Sequence, residues 1–131
     1  TVCFSPDGKL LATAGRDQKI KVWSVAEGKL TQRLDNPAFK GLSHPGWVYA
    51  LRWTSDGKHL VAAGAAPRLR GYLSVWEAAT GKLVSGQEVN AGTIFSLSLS
   101  PDEKAAAIGT GGSIRPETDV HQAAILKLPG R

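Results

Sequence analysis

The sequence predicts an all-β fold of consecutive four-stranded antiparallel sheets, about three of them, and three observations predict it. A turn string returns three times in phase. Each copy is followed at a similar offset by an apolar strand-like string. No stretch shows sustained helical periodicity, whereas alternation with period two recurs.

The turn string is Phe4-Ser5-Pro6-Asp7-Gly8-Lys9, then Trp53-Thr54-Ser55-Asp56-Gly57-Lys58, then Leu99-Ser100-Pro101-Asp102-Glu103-Lys104. Its aspartates stand 49 residues apart (7 to 56) and 46 apart (56 to 102). Before each turn, alternate residues share a face: Val2 and Phe4, Leu51 and Trp53, Leu97 and Leu99. The turn chemistry is mechanistic. Pro presets φ, Asp bonds its own backbone, and Gly reaches positive φ without steric cost. A short apolar strand follows in each unit: Leu10 to Ala14, Leu60 to Ala63, Ala105 to Ile108. A loop then leads to Ile20-Lys21-Val22-Trp23, Leu73-Ser74-Val75-Trp76 and the weaker Ala123-Ala124-Ile125-Leu126. Gly28-Lys29 and Gly81-Lys82 open a fourth, more polar strand, Leu30 to Leu34 and Leu83 to Glu88. Four strands per unit at a period near 45 residues is the pattern of a β-propeller blade. The units are expected at about 1–34, 47–88 and 93–131, the last without its outer strand.

Composition sets the outer bounds. The chain has 131 residues, 42% hydrophobic and 21% charged, with 15 Gly and 7 Pro, a globular balance rich in turns. No apolar run reaches the roughly 18 residues of a membrane span. The single Cys3 excludes an internal disulfide framework and has no Cys or His at ligand spacing, so it reads as a small strand residue. The net charge of +5 raises an acidic partner such as nucleic acid, but the Lys and Arg residues are scattered, as on a solvated surface. No Cys-x-x-Cys-His, no Gly-x-Ser-x-Gly elbow and no paired histidines at metal-ligand spacing are present. Catalytic residues, metal ligands and cofactors are therefore not expected from this segment. Gly109-Thr110-Gly111-Gly112-Ser113 lacks the Gly-Lys-Ser/Thr ending of a phosphate loop.

Taken together, the repeats resemble WD repeats, whose pattern runs His-x-Gly, Ser-Pro-Asp-Gly, Leu-Ala-Ser/Thr, Asp, Trp. The resemblance covers essentially the whole chain and is strongest in the first two units. It implies a partial propeller, because such rings usually close with about seven blades, and association with further blades or other copies. It also implies a buried hydrogen-bonded set of His, Ser/Thr, Asp and Trp. In unit one Thr13, Asp17 and Trp23 match; in unit two His44 and Trp76 match, with Ala62 at the hydroxyl position. In unit three Asn90, Ile108 and Leu126 replace the set, so apolar packing is expected to hold that unit.

The family resemblance implies a non-catalytic scaffold that docks a protein or peptide on its loop face. The irregular segments Asp35 to Gly46, Ala65 to Gly71 and Gly111 to His121 are expected to emerge there. They bring Trp47, Arg68, Arg70, Tyr72 and Arg115, residue types that dominate interaction hot spots. Trp47 has two readings, exposed docking residue or burial against the neighbouring blade. Two alternatives stand beside the scaffold. One is a basic surface for nucleic acid. The other is a propeller domain of a larger enzyme or exported cytochrome-linked protein, because the Gly/Pro/Arg-rich insertions resemble those of large bacterial proteins with a cytochrome-c-type domain. The compartment stays open.

Overall fold

The computed structural model describes residues 1–111 and 123–128. Its regular elements are all strands. The first sheet holds β1 (Val2–Phe4), β2 (Leu10–Thr13), β3 (Ile20–Ser24) and β4 (Lys29–Leu34) in the order β1-β2-β3-β4. The second holds β5 (Val48–Trp53), β6 (His59–Ala66), β7 (Arg70–Glu77) and β8 (Leu83–Val89) in the same up-and-down order. The third holds β9 (Thr93–Leu99), β10 (Ala105–Gly111) and β11 (Ala123–Lys127). Every pairing is antiparallel. These are three successive propeller-type blades, and the fold is all-β.

The three recurrent turns are one structure built three times. Ser5 Oγ donates to Asp7 Oδ1 at 2.6 Å, and that oxygen accepts from the Lys9 amide. The Leu10 amide returns to Ser5 Oγ. Thr54, Asp56, Lys58 and His59 repeat the circuit, as do Ser100, Asp102, Lys104 and Ala105. The turn needs a left-handed residue next, supplied by Gly8 (φ 70°), Gly57 (φ 69°) and, against its own preference, Glu103 (φ 56°). Glu103 Oε1 also accepts from the Ser55 amide at 2.5 Å, tying the third turn to the second. The Ser5 and Ser100 hydroxyls, then the Lys9 and Lys104 amides, hold the Asp7 and Asp102 carboxyls below their ordinary value of 3.8.

The core lies between the sheets. The second blade turns one set of alternate residues to the first blade and the other to the third. Leu51, Trp53, Leu60 and Trp76 of the second sheet pack against Ala12, Ile20 and Val22 of the first. Val61, Leu73 and Val75, the counterparts of those three, receive Leu97, Ala106 and Ile108 from the third sheet, with Leu126 against the cluster. So at the first joint two indoles meet smaller aliphatic groups, whereas at the second joint both sides are aliphatic. The innermost strands β1, β5 and β9 lie next to one another. Trp53 Nε1 donates across this seam to the Cys3 carbonyl at 3.0 Å.

Equivalent tryptophans differ in burial for the same reason. Trp76 is fully buried, whereas Trp23 is half-buried. Val2 (66% exposed) and Phe4 (60%) share the flank of the first blade that no described residue covers, while their counterparts Leu51 and Trp53 are buried.

One expectation is corrected here. Ala65 to Gly71 is not an irregular loop. β6 and β7 continue in register to Ala66↔Arg70, so the insertion lengthens a hairpin. Its turn is only Pro67, Arg68 and Leu69, the last two at φ 64° and 58°. Strand pairing wins because Ala65 N donates to the Trp47 carbonyl at 2.8 Å, giving the extension a partner on its other side.

Candidate functional site

The site is the rim where β2 and β6 end and β5 begins. Val48↔Gly64 pairing places the start of β5 beside the end of β6, which sets Trp47 at the base of the long hairpin. Trp47 is 42% exposed. The Arg16 guanidinium, from the β2–β3 loop of the first blade, lies 4.4 Å from the Trp47 ring centroid. Of the two readings for Trp47, the structure gives an exposed ring that also touches the neighbouring blade.

At the hairpin tip Arg68 is exposed and Leu69 is 71% exposed. Arg70 pairs with Glu88 at 2.8 Å, both side chains being about half exposed, so its charge is partly spent within the blade. Arg115 lies outside the described residues.

Tyr72 does not belong on this surface. It is 6% exposed, and its hydroxyl accepts from Asn36 Nδ2 at 3.2 Å. Its ring stands edge-on to Phe39 (5.6 Å) and His44 (5.0 Å). The cause is sheet register: Gly71↔Val89 and Tyr72↔Glu88 put Tyr72 within a paired strand, under the loop from the first blade. Tyr72 anchors that loop and offers nothing to solvent.

The implied hydrogen-bonded residues are placed as follows. Trp23 Nε1 donates to Thr13 Oγ1 at 2.9 Å. Asp17 is exposed, accepts from the Lys19 amide at 3.3 Å and faces Lys21 at 3.6 Å, so it organises its own loop instead of joining that pair. Trp76 Nε1 donates to Ser74 Oγ at 2.9 Å, because Ala62 has no hydroxyl and a serine two residues back on the same strand faces the same way. Reading for a hydroxyl at i−2 of the tryptophan would have found it.

His44 is fully buried. Its Nδ1 lies 3.0 Å from the Gly46 carbonyl and its Nε2 3.3 Å from the Tyr72 carbonyl. Ser43 beside it accepts from the Ile20 amide at 2.8 Å and donates to the Leu34 carbonyl, locking the loop onto the first blade. Burial outweighs the two carbonyls and pushes the imidazole below its ordinary 6.5. The folded state therefore holds His44 neutral while the unfolded chain takes up a proton near 6.5. Stability is lost as pH falls from 6.5 towards the depressed folded value. Urea midpoints measured from pH 7.5 down to pH 5 should fall, and the fall should be shallower in His44→Gln. An equal slope in the variant would remove His44 as the cause.

Among the described residues no group of three or more His, Cys, Asp or Glu could hold a metal ion. No helix among them is long and apolar enough to cross a membrane.

The chain matches the family model described as "WD domain, G-beta repeat" over residues 1–24 and 37–77. It belongs to the WD40 repeat family. It is 33% identical over 102 residues to human "Apoptotic protease-activating factor 1", covering 77% of this chain and 8% of that protein. It is 33% identical over 84 residues to "Actin-interacting protein 1" of Drosophila melanogaster, covering 64% of this chain and 12% of that protein. Against the "Periodic tryptophan protein 2 homolog" of Caenorhabditis elegans it is 31% identical over 72 residues, 55% of this chain and 7% of that protein. The WD40 chain thus spans about a tenth of the length of these relatives.

Proposed function

We propose that this WD40 segment is a non-catalytic interaction module that binds a protein or peptide partner at the Trp47 rim. The observation that carries the reading is the exposed Trp47 ring, capped by Arg16 at the base of a hairpin whose tip exposes Arg68 and Leu69. A large aromatic held by β-strands, with cationic neighbours, is the composition of an interaction hot spot. Two relatives are named for activating a protease and for interacting with actin, which supports a role in contacting other proteins.

The test uses the intact protein as bait, with Trp47, Arg68 and Arg70 replaced by Ala, beside Lys58→Ala as a control. Affinity for a captured partner should fall roughly tenfold or more in the triple variant and stay unchanged in the control. No loss of any partner in the triple variant overturns the reading. Binding that instead collapses steeply with salt and follows nucleic acid would favour the basic-surface alternative.

A further inference from the structure

We propose that the rim's aromatic ledge, Trp47–Tyr49–Phe95, receives an extended, proline-containing acidic segment of a partner protein. This rests on the rim reading above and names the chemistry of the ligand.

The ledge is built by two matching irregularities. In β5 the register shifts between Val48 and Ala50, which leaves Tyr49 as an extra residue. In β9 the register shifts opposite Gly109/Thr110, which leaves Phe95 as the extra residue. Leu51 and Leu97 occupy corresponding places, so Tyr49 and Phe95 correspond as well. A bulge re-aims the side chain it carries, and here two neighbouring blades re-aim an aromatic ring at the same level. The Tyr49 and Phe95 centroids are 4.8 Å apart, and those of Trp47 and Tyr49 are 6.5 Å apart. The row thus crosses from the second blade to the third, with Arg16 of the first blade over its near end. Phe95 is 49% exposed. Close approach is built in: a Cβ on Gly111 would come within 2.4 Å of the Phe95 ring.

Ring geometry and charge select the occupant. The half-exposed Trp47 and Phe95 rings, with Tyr49 between them, reward rigid apolar rings that pack against them. A polyproline II segment has three residues per turn and advances about 3.1 Å per residue, so residues i and i+3 share a face roughly 9 Å apart. Two same-face prolines span the row from Trp47 past Tyr49 towards Phe95, whose successive centroids are 6.5 and 4.8 Å apart. Such a segment is already ordered and needs no strand pairing from the surface. Charge sets the other half of the match. Arg16 is exposed and lies over the Trp47 end of the ledge, and the same blade's loop also exposes Lys19. Asp17, the residue next to Arg16, already faces Lys21 at 3.6 Å. Among the described residues the Arg16 guanidinium rests on an aromatic face and not on a carboxylate, which calls for an acidic residue at that end.

The probe is a fluorescently labelled synthetic peptide of repeating Glu-Pro-Pro, whose prolines recur on one face every third residue, titrated by anisotropy into the intact protein. Two control peptides carry Lys for Glu or Ala for Pro. Both controls should bind several-fold more weakly. Trp47→Ala and Phe95→Ala, checked for an unchanged circular dichroism spectrum, should each weaken binding of the Glu-Pro peptide roughly tenfold. Arg16→Glu should reverse the preference between the Glu and Lys peptides. Equal binding of the Ala-for-Pro peptide, or wild-type affinity in Phe95→Ala, overturns the proposal. If no peptide binds while partner capture still depends on Trp47 and Arg68, this inference fails and the rim reading stands. If both are lost, both fail.

Discussion

Replacing Trp76 by Ala should destabilise the protein by about 3–5 kcal/mol. The side chain is fully buried in the cluster between the first two blades, among Ala12, Ile20, Val22, Leu51 and Leu60. Its removal leaves a cavity bounded by two sheets that strand pairing keeps from collapsing inward. It also strips Ser74 Oγ, itself fully buried, of its indole donor. Urea unfolding followed by fluorescence reports the loss as a lower midpoint at unchanged slope. Trp23→Ala gives the internal comparison. Its indole makes the corresponding bond to Thr13 but is only half-buried, so the cost should be well below that of Trp76→Ala. Where a further blade or a second copy covers the Val2–Phe4 flank, the Trp23 cost should rise towards the Trp76 value. Equal costs in a monomer lacking that cover would contradict the packing described for the first blade.

Gly64→Ala is the second large effect. A Cβ at this position would sit 2.0 Å from the Trp47 carbonyl oxygen and 2.9 Å from Val48 Cα. Both are backbone atoms, so no side chain can swing away. Accommodating the methyl means separating β5 from β6 at the bulge, which costs about 3 kcal/mol or more. The separation also moves Trp47 and Tyr49. Gly64→Ala should therefore lower the unfolding midpoint and weaken peptide binding at the ledge together. Gly15→Ala, the corresponding position in the first blade, meets nothing within 4 Å and should leave both nearly unchanged. A Gly64→Ala protein with a wild-type midpoint would show that the close approach of Trp47 to β6 is not required.

Much of this architecture is legible in the sequence because turns are local chemistry. Ser5-Pro6-Asp7-Gly8 and its two echoes state a hydrogen-bonded circuit within six residues, and the strands on either side follow from alternation. The site was less legible because its features depend on partners distant in sequence. The register slips at Tyr49 and Phe95 exist only relative to β6 and β10; along the chain they look like broken alternation. Ala65-Ala66-Pro67 has weak strand propensity, so the hairpin extension reads as a loop until the Trp47 carbonyl is set beside Ala65. Tyr72 sits among residues that resemble surface loop, and its burial comes from Asn36, Phe39 and His44, about thirty residues earlier. Ser74 stood in plain view, but the repeat pattern directs attention to the position of Ala62 for the hydroxyl.

The unequal sides of the second blade make stacking directional. At the first joint Leu51, Trp53 and Trp76 meet Ala12, Ile20 and Val22, and at the second their counterparts Leu97, Leu99 and Leu126 meet Val61, Leu73 and Val75. Like a tongue and its groove, the second unit therefore carries both halves of one joint. Copying a whole unit in tandem would introduce a member that already mates with the neighbours on either side, whereas an inverted unit would set tryptophan against tryptophan. The fold can thus lengthen or shorten by whole units without inventing a new seam, and a rim such as that at Trp47 can diversify while the joints beneath it stay the same.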